Sequence, residues 1–112
     1  MSRGTDATEL AEQFSSLPIH DATLNLLRVD WRQRTCVAEL DVFIDRSKDA
    51  VPRLLTWHAV KEALIPHHDP WGPSTFVNSA RFEAPDVYII EMQSGDAIRI
   101  RAERFEFGTP EA

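Results

Sequence analysis

The stretch CVAELDVFI, residues 36–44, alternates apolar and polar side chains and decides the fold class. Its apolar members that fall on one side of an extended chain are Cys36, Ala38, Leu40, Val42 and Ile44. Glu39 and Asp41 fall on the other side. A period of two residues is that of a β-strand with one buried face. The stretch therefore predicts a half-buried strand, which needs further strands beside it.

The residues just before this strand predict a second strand with a change of phase. Ala22, Leu24 and Leu26 alternate with polar residues, and Leu27, Val29 and Trp31 continue on the opposite parity. A bulge near Leu26 and Leu27 would turn both sets toward the interior, which places Trp31 in the core. Residues 32–34 are polar and have the length of a hairpin loop.

The N-terminal segment, residues 6–16, predicts a short helix. Asp6 is positioned to cap it, and Ala7, Leu10, Ala11 and Phe14 would share one face. Leu17 and Pro18 follow, and the proline favours an end to the helix.

The second half of the chain predicts further strands separated by clear breaks. Residues 53–65 are ambiguous, since their first half suits a strand with Trp57 in the core and their second half suits a helical turn. Residues 66–74 contain three prolines and a glycine, which excludes regular structure. Strands are predicted at 75–82, 87–93 and 97–107, and Gly95 allows a tight turn between the last two.

The order of these elements predicts one mainly β (α+β) domain spanning residues 1–112, with an ordered core of about 6–107. No repeat or shift in composition marks a second domain. We expect a curved antiparallel sheet or a small sandwich of about six strands, with one short N-terminal helix.

The composition predicts a globular, acidic protein in the cytoplasm. Apolar residues make up 43% of the chain and charged residues 27%, and the net charge is −6. The single cysteine, Cys36, favours a reducing compartment. The chain lacks an apolar run of membrane-spanning length, and its first residues lack the apolar segment of a signal peptide. Scattered basic residues argue against a nucleic-acid partner, whereas a basic protein partner fits the charge.

Histidines and aspartates are the candidates for chemistry. His20 and Asp21 could form an orienting pair for acid–base catalysis, and Asp21 could equally accept backbone amides at a turn. His58 and His67 could join them around a pocket. Their spacing does not match a metal site, and we predict neither a metal nor another cofactor. Cys36 lies on the apolar side of its strand, where a thiol is inert.

The loop at 66–74 is the candidate binding segment. It contains His67, His68 and Asp69, followed by Trp71 between two prolines. A large aromatic ring in a restrained loop loses little further entropy on binding, so Trp71 could anchor a partner. The alternative is that the ring covers an open end of the sheet.

Three segments resemble a family of small, uncharacterised bacterial proteins, some of which carry immunity-protein labels. They are Leu-Pro-Ile-His-Asp-Ala at 17–22, Pro-Trp-Gly-Pro-Ser at 70–74 with Asn78, and Glu-Met-Gln-Ser-Gly-Asp at 91–96. The resemblance spans about residues 17–107. It implies a β-rich fold and a bacterial source, and it transfers no active site to this chain.

Three functions fit these patterns. The leading hypothesis is a non-enzymatic protein-binding module, with the immunity type as one form of it. The second is a small enzyme or ligand-binding protein that uses His20, Asp21, His58 and His67. The third is a homodimer with a structural role, in which an exposed strand or apolar patch is buried across a two-fold axis.

Overall fold

The computed structural model describes residues 7–45, 48–66 and 76–110. Within these ranges the chain forms one helix and eight strands. They are α1 (Ala7–Ser15), β1 (Thr23–Asp30), β2 (Thr35–Val42), β3 (Val51–His58), β4 (Glu62–Leu64), β5 (Val77–Glu83), β6 (Val87–Met92), β7 (Ala97–Arg101) and β8 (Arg104–Gly108). The prediction of a mainly β fold with a short N-terminal helix is confirmed.

The strands form two four-stranded antiparallel sheets. The first sheet has the order β1-β2-β3-β8 and the second has the order β4-β7-β6-β5. An isolated bridge between Thr23 and Phe76 joins the start of β1 to the residue before β5. The two sheets share one hydrophobic core, so the molecule takes the sandwich form of the predicted fold.

Two predicted segments each divide, which raises the strand number from about six to eight. The segment 53–65 breaks after His58, where Ala59 takes a left-handed φ of 56°. Its second half is the strand β4 and not a helical turn, because pairing with β7 overrides the helix propensity of Lys61 and Glu62. The segment 97–107 breaks after Arg101, and the Glu103 amide then donates to the carbonyl of His58 as the chain crosses to the first sheet.

The core is built from alternating residues of both sheets. In β2, Cys36, Ala38, Leu40 and Val42 are buried as predicted. Ile44 lies beyond the end of β2 and is 50% exposed, so its predicted place in the core is wrong. The prediction extended the alternation past the last paired residue of the strand.

Phe14 of α1 closes the core between the sheets. Its side chain is fully buried, and its ring lies 5.0 Å from that of Tyr88, 5.1 Å from that of Phe105 and 6.3 Å from that of Trp57. Aromatic rings at these distances and tilted angles attract one another beyond their shared burial. The predicted inward face of the helix is confirmed at Phe14 and Leu10, whereas the proposed cap, Asp6, is outside the described residues.

The phase change in β1 is real and comes slightly earlier than predicted. The pairing register with β2 shifts between Leu24 and Leu26. Leu27 and Val29 pack against the core, but Leu26 is 45% exposed. The strand ends at Asp30, and Trp31 lies in the following turn with 76% of its surface exposed. The predicted burial of Trp31 is therefore wrong.

The tight turn between β6 and β7 is confirmed. Gly95 has a φ of 103°, and its amide donates to the carbonyl of Met92 at 2.9 Å. The Met92 amide donates to the carbonyl of Asp96 at 2.8 Å and completes the hairpin.

In the described part of the chain, no helix is both long enough and apolar enough to cross a bilayer.

Candidate functional site

Three segments that are far apart in the sequence meet where β1 begins. The amide of Asp21 donates to the carbonyl of Val77 at 2.9 Å, and the amide of Val77 donates to the carbonyl of Ala22 at 2.9 Å. The side-chain amide of Gln93 donates to Oδ1 of Asp21 at 2.7 Å. We call His20, Asp21, Asn78 and Gln93 the corner cluster. It contains residues from each of the three segments that carried the family resemblance.

His20 is fixed in the corner cluster by a backbone carbonyl. Its Nδ1 lies 2.6 Å from the carbonyl oxygen of Asn78, and this nitrogen must donate because a carbonyl can only accept. The neutral ring therefore has its proton on Nδ1 and a lone pair on Nε2. Nε2 lies 3.6 Å from Oδ2 of Asp21, and 58% of the His20 side chain is exposed.

Asp21 connects the start of β1 to the second sheet. It has a φ of 67°, a conformation that aspartate tolerates better than most residues. Its own amide and its carboxylate bond to β5 and to the residue after β6, respectively. The turn interpretation of Asp21 is confirmed in part, since the residue opens β1. The hydrogen bond that its carboxylate accepts there comes from a side-chain amide, that of Gln93.

His58 is far from the corner cluster. It lies at the last residue of β3 opposite Thr35, whereas the start of β1 lies opposite Asp41, which pairs with Pro52 near the start of β3. Six residue steps along a strand correspond to about 20 Å. The two imidazoles therefore lie near opposite ends of the first sheet, and the structure does not bring His20 and His58 into a shared site.

The ring of His58 has a partner of its own. Nε2 lies 2.7 Å from Oε1 of Glu106 on the neighbouring strand β8, and a carboxylate oxygen only accepts. Four further predicted site residues lie outside the described residues, namely His67, His68, Asp69 and Trp71.

Groups that could hold a metal or attack a substrate are not assembled in the described ranges. Within residues 7–45, 48–66 and 76–110, no three His, Cys, Asp or Glu side chains are grouped to hold a metal ion. Cys36 is fully buried, and this burial raises the pKa of its thiol to about 11. The thiol is protonated at neutral pH and has no access to a substrate.

The cavity between the two sheets is apolar and small. Its volume is about 10 Å³, and its lining includes Leu40, Leu55, Trp57 and Ile90. A space of that size holds one water molecule at most, and apolar walls give a water no hydrogen-bond partners. This cavity is part of the core packing and does not receive a ligand.

The outward face of the second sheet carries a network of paired charges. Glu91 accepts hydrogen bonds from Ser79 at 2.9 Å and from Arg81 at 3.2 Å, and the bond from Ser79 is the main cause of its lowered pKa. Arg81 also bonds Glu83, which lies 3.4 Å from Arg99. The two arginines and two glutamates of this network therefore neutralise one another.

The tip of the β1–β2 hairpin presents a different surface, which sequence reasoning missed. We define the hairpin tip as residues 31–34, Trp-Arg-Gln-Arg, all of which are exposed. Oδ1 of Asp30 accepts a bond of 2.9 Å from the Gln33 amide, and the Arg34 carbonyl accepts one of 2.8 Å from Val60. Arg34 takes a left-handed φ of 58°. Trp31 is thus an exposed aromatic ring on a hydrogen-bonded turn.

A sequence signal for this position exists in the neighbours of Trp31. The three residues after it are all polar, and Asp30 before it is a frequent first residue of turns. Alternation from Leu27 and Val29 suggested that the strand continued, but the turn signal should have limited it to Asp30.

Comparison of the chain with protein-family models, with curated proteins and with solved structures finds no match.

Proposed function

We propose that this protein is a non-enzymatic protein-binding module and that the hairpin tip contacts the partner. The observation that carries the proposal is the 76% exposure of Trp31. Other large apolar side chains that reach the surface, such as Ile44 and Leu64, are about half exposed. Tryptophan is enriched among the residues that dominate protein interfaces, because one ring buries a large area with few rotatable bonds.

The rigidity of the tip supports the proposal. The bonds from Gln33 to Asp30 and from Val60 to Arg34 hold the turn before any partner arrives. A contact residue on a preorganised turn loses less conformational entropy on binding than one on a mobile loop. Burial of the solvated indole ring would then contribute about 2 kcal/mol or more to affinity.

The proposal includes the immunity form of binding, in which a small protein covers the surface of a toxin. It also places the module in the cytoplasm. The support for this location is Cys36, a reduced thiol in the core, which fits a reducing compartment. Small proteins that act by covering a surface need no cavity of their own, and the 10 Å³ space between the sheets is consistent with that.

Site-directed photo-cross-linking tests the proposal. A photoreactive phenylalanine analogue replaces Trp31 in one variant and Ile44 in another, and both are exposed to an extract of the source cells. Ile44 is a matched control because it is an exposed apolar residue just beyond the opposite end of β2. We expect one protein to be captured from position 31 and not from position 44.

Affinity of the purified pair then decides the role of Trp31. We expect Trp31→Ala to weaken binding of the captured protein by about thirtyfold or more, and Ile44→Ala by less than about twofold. Unchanged affinity of Trp31→Ala would refute the proposal. Capture of a second copy of this chain from position 31, with dimerisation seen by light scattering, would replace it with the homodimer hypothesis.

A further inference from the structure

From the backbone of β1 and its position beside the hairpin tip, we infer that the partner adds an extended strand to the free edge of β1. This inference rests on the proposed function and adds the way in which the partner is held. The occupant is an extended segment of the partner protein that runs antiparallel to β1. Its main chain bonds Leu27 and Val29, and the contact continues from there to Trp31.

β1 is the outer strand of the first sheet, and its outer edge is paired only where it begins. The sheet order is β1-β2-β3-β8, so β1 has one strand neighbour in its sheet. Across its other edge the described residues make one bridge, between Thr23 and Phe76, next to the bonds of Val77 with the residues before the strand. Beyond the register shift between Leu24 and Leu26, no described residue bonds the backbone of β1 from this edge.

Pro52 indicates which backbone groups of the first sheet point outward. In an antiparallel pair, hydrogen-bonded and non-hydrogen-bonded positions alternate. Pro52 has no amide hydrogen and lies opposite Asp41, so this is a non-hydrogen-bonded pair and Asp41 directs its backbone groups at β1. The residues of β2 that alternate with it do the same and pair with Leu26, Arg28 and Asp30. Leu27 and Val29 therefore direct their amides and carbonyls away from β2, into the free edge.

The side chains of the same two residues form an incomplete margin of the core. Leu27 and Val29 point inward but are only partly buried, whereas the inward residues of β2 are at most 3% exposed. A further strand would bring its own inward side chains against Leu27 and Val29 and exclude water from them. The edge thus offers main-chain donors and acceptors together with an apolar strip, which is the combination that an extended peptide binds.

The outward side chains of this edge alternate in charge. Arg28 and Asp30 are both exposed and lie two positions apart on the outer face. Arg28 is 3.6 Å from Glu39, but a pair of exposed side chains is weak and leaves Arg28 able to pair with a carboxylate across a new strand. Asp30 accepts the Gln33 amide, and this bond leaves the charge of the carboxylate in place. The matching segment therefore has an acidic residue opposite Arg28, a basic residue opposite Asp30 and no net charge from this pair.

The other edges of the two sheets suit this partner less well. β4 has three residues, and α1 packs against β5. β8 directs the backbone groups of Phe105 and Phe107 outward by the same alternation. It lies three strand spacings, or about 14 Å, from β1 and does not lead to Trp31. The edge of β8 is therefore an internal control for the edge of β1.

NMR on the intact protein tests the inference with three defined peptides. The first, acetyl-Thr-Lys-Val-Glu-Val-Thr-amide, places its valines opposite Leu27 and Val29, its glutamate opposite Arg28 and its lysine opposite Asp30. The second exchanges the lysine and the glutamate. The third is the first peptide with both valines N-methylated, which removes the two amide hydrogens that would bond β1 and keeps every side chain.

We expect the first peptide to shift the amides of Leu27 and Val29 and to slow their hydrogen exchange, while the amides of Phe105 and Phe107 stay unchanged. The second peptide should bind about fivefold more weakly, because both of its charges then face like charges. The N-methylated peptide should bind at least about tenfold more weakly, because its main chain can no longer donate to β1.

A charge reversal on each edge checks the register. Arg28→Glu should bring the first and second peptides to about equal affinity, because each then has one matched and one mismatched charge pair. Arg104→Glu changes an exposed residue of β8 and should leave the fivefold preference as it is. The same preference in both variants would overturn the inference.

Each remaining outcome counts against strand addition at β1. Slow exchange of the Leu27 and Val29 amides in the free protein would show that this edge is already paired. Equal shifts on β8, equal binding of the N-methylated peptide, or no shift with the first peptide would also overturn the inference. None of these results alters the cross-linking and affinity measurements at Trp31, through which the proposed function itself fails.

Discussion

Oδ1 of Asp21 accepts a hydrogen bond of 2.7 Å from Nε2 of Gln93, a residue 72 positions further along the chain. Asp21 lies two residues before β1 of the first sheet, and Gln93 immediately follows the strand β6 of the second. The contact therefore ties the two sheets together at the corner where β1 begins. Asp21 was also a candidate for acid–base chemistry. Unfolding measurements on variants of Asp21 and Gln93 test its role in stability apart from any role in function.

Replacement of Asp21 should distinguish its conformation from its hydrogen bond. Asp21→Ala should lower the free energy of unfolding by about 2 kcal/mol, from the strain of alanine at a φ of 67° and from the lost bond to Gln93. Asp21→Asn tolerates the same φ and keeps an acceptor oxygen, so its loss should stay below about 1 kcal/mol. Urea unfolding measures both values.

A double-mutant cycle checks the partner in this bond. Gln93→Ala alone should cost about 1 kcal/mol. It should cost less when Asp21 is already alanine, because only the weaker bond of 3.3 Å from Gln93 Nε2 to the Val77 carbonyl is then lost. Full additivity of the two losses would show that the Asp21–Gln93 bond does not contribute to stability.

Gly95 should be intolerant of a β-branched residue because of its backbone and not because of crowding. A Cβ placed there meets no heavy atom within 4 Å, but φ is 103°. Gly95→Val should therefore lower the free energy of unfolding by about 1–3 kcal/mol. Gly108→Val is the control, since its Cβ also meets nothing within 4 Å and its φ is not in the left-handed region. A similar loss in both variants would contradict the strain explanation.

Ala59 should respond to glycine in the opposite way from an ordinary strand alanine. Glycine adopts a φ of 56° without the strain that alanine has there. Because this relief of strain offsets the added entropy of the unfolded chain, Ala59→Gly should be neutral or stabilising by up to about 1 kcal/mol. Ala97→Gly in β7, at similar partial burial, should lose about 0.5–1 kcal/mol. Denaturant unfolding of the two variants compares them, and equal losses would contradict strain at Ala59.

The hydroxyl of Tyr88 should destabilise the core. The side chain is fully buried, its Oη has no hydrogen-bond partner within the described residues, and burial raises its pKa to about 12. Tyr88→Phe keeps the ring contacts with Phe14 and Phe82 and should stabilise the protein by about 1 kcal/mol. Tyr88→Leu should lose about 2–4 kcal/mol through the missing ring. A clear loss in Tyr88→Phe, measured by thermal unfolding, would show that the hydroxyl has a partner.

Asp86 should make the stability of the protein depend on acidity. Its carboxylate is largely buried, and a 3.0 Å bond from Lys61, helped by Arg101, lowers its pKa. A lowered folded-state pKa means that the stabilisation is complete above the unfolded value near 4 and disappears as pH falls through the folded value. Asp86→Asn should lose about 1–3 kcal/mol at neutral pH.

The acid dependence of this loss is the sharper measurement. The difference between Asp86→Asn and the unchanged protein should shrink steadily as urea unfolding is repeated below about pH 4. Asp49→Asn, at an exposed loop position before β3, should show no such change. A constant difference across that pH range would mean that the ion pairs of Asp86 do not contribute to stability.

Much of the fold could be predicted because burial follows the period of the sequence. The alternation in β2, the inward face of the helix at Phe14 and the turn at Gly95 are local patterns, and each is confirmed. Two of the errors lie at the ends of strands. Ile44 and Trp31 continue an alternation past the last paired residue, and a strand ends where hydrogen-bonded pairing ends, which the alternation alone does not show.

The candidate site could be predicted much less well, because its residues meet only through tertiary structure. The sequence indicated His20, Asp21 and His58 as one set, but the register of three strands places His58 about 20 Å from the other two. It also contained no signal that Asp21 would bond Gln93, or that Val60 would bond Arg34. Such contacts depend on which strands are neighbours, and strand order is not encoded in the local period.

The sequence by itself determined a mainly β chain with one short helix, an acidic charge and a buried thiol at Cys36. These properties follow from composition and from the spacing of apolar residues, which set which face of each element leaves water. Only the tertiary structure decided the two-sheet arrangement, the exposure of Trp31 and the separation of His20 from His58. Exposure and proximity are properties of neighbours in space, and the chain acquires those neighbours only when the sheets assemble.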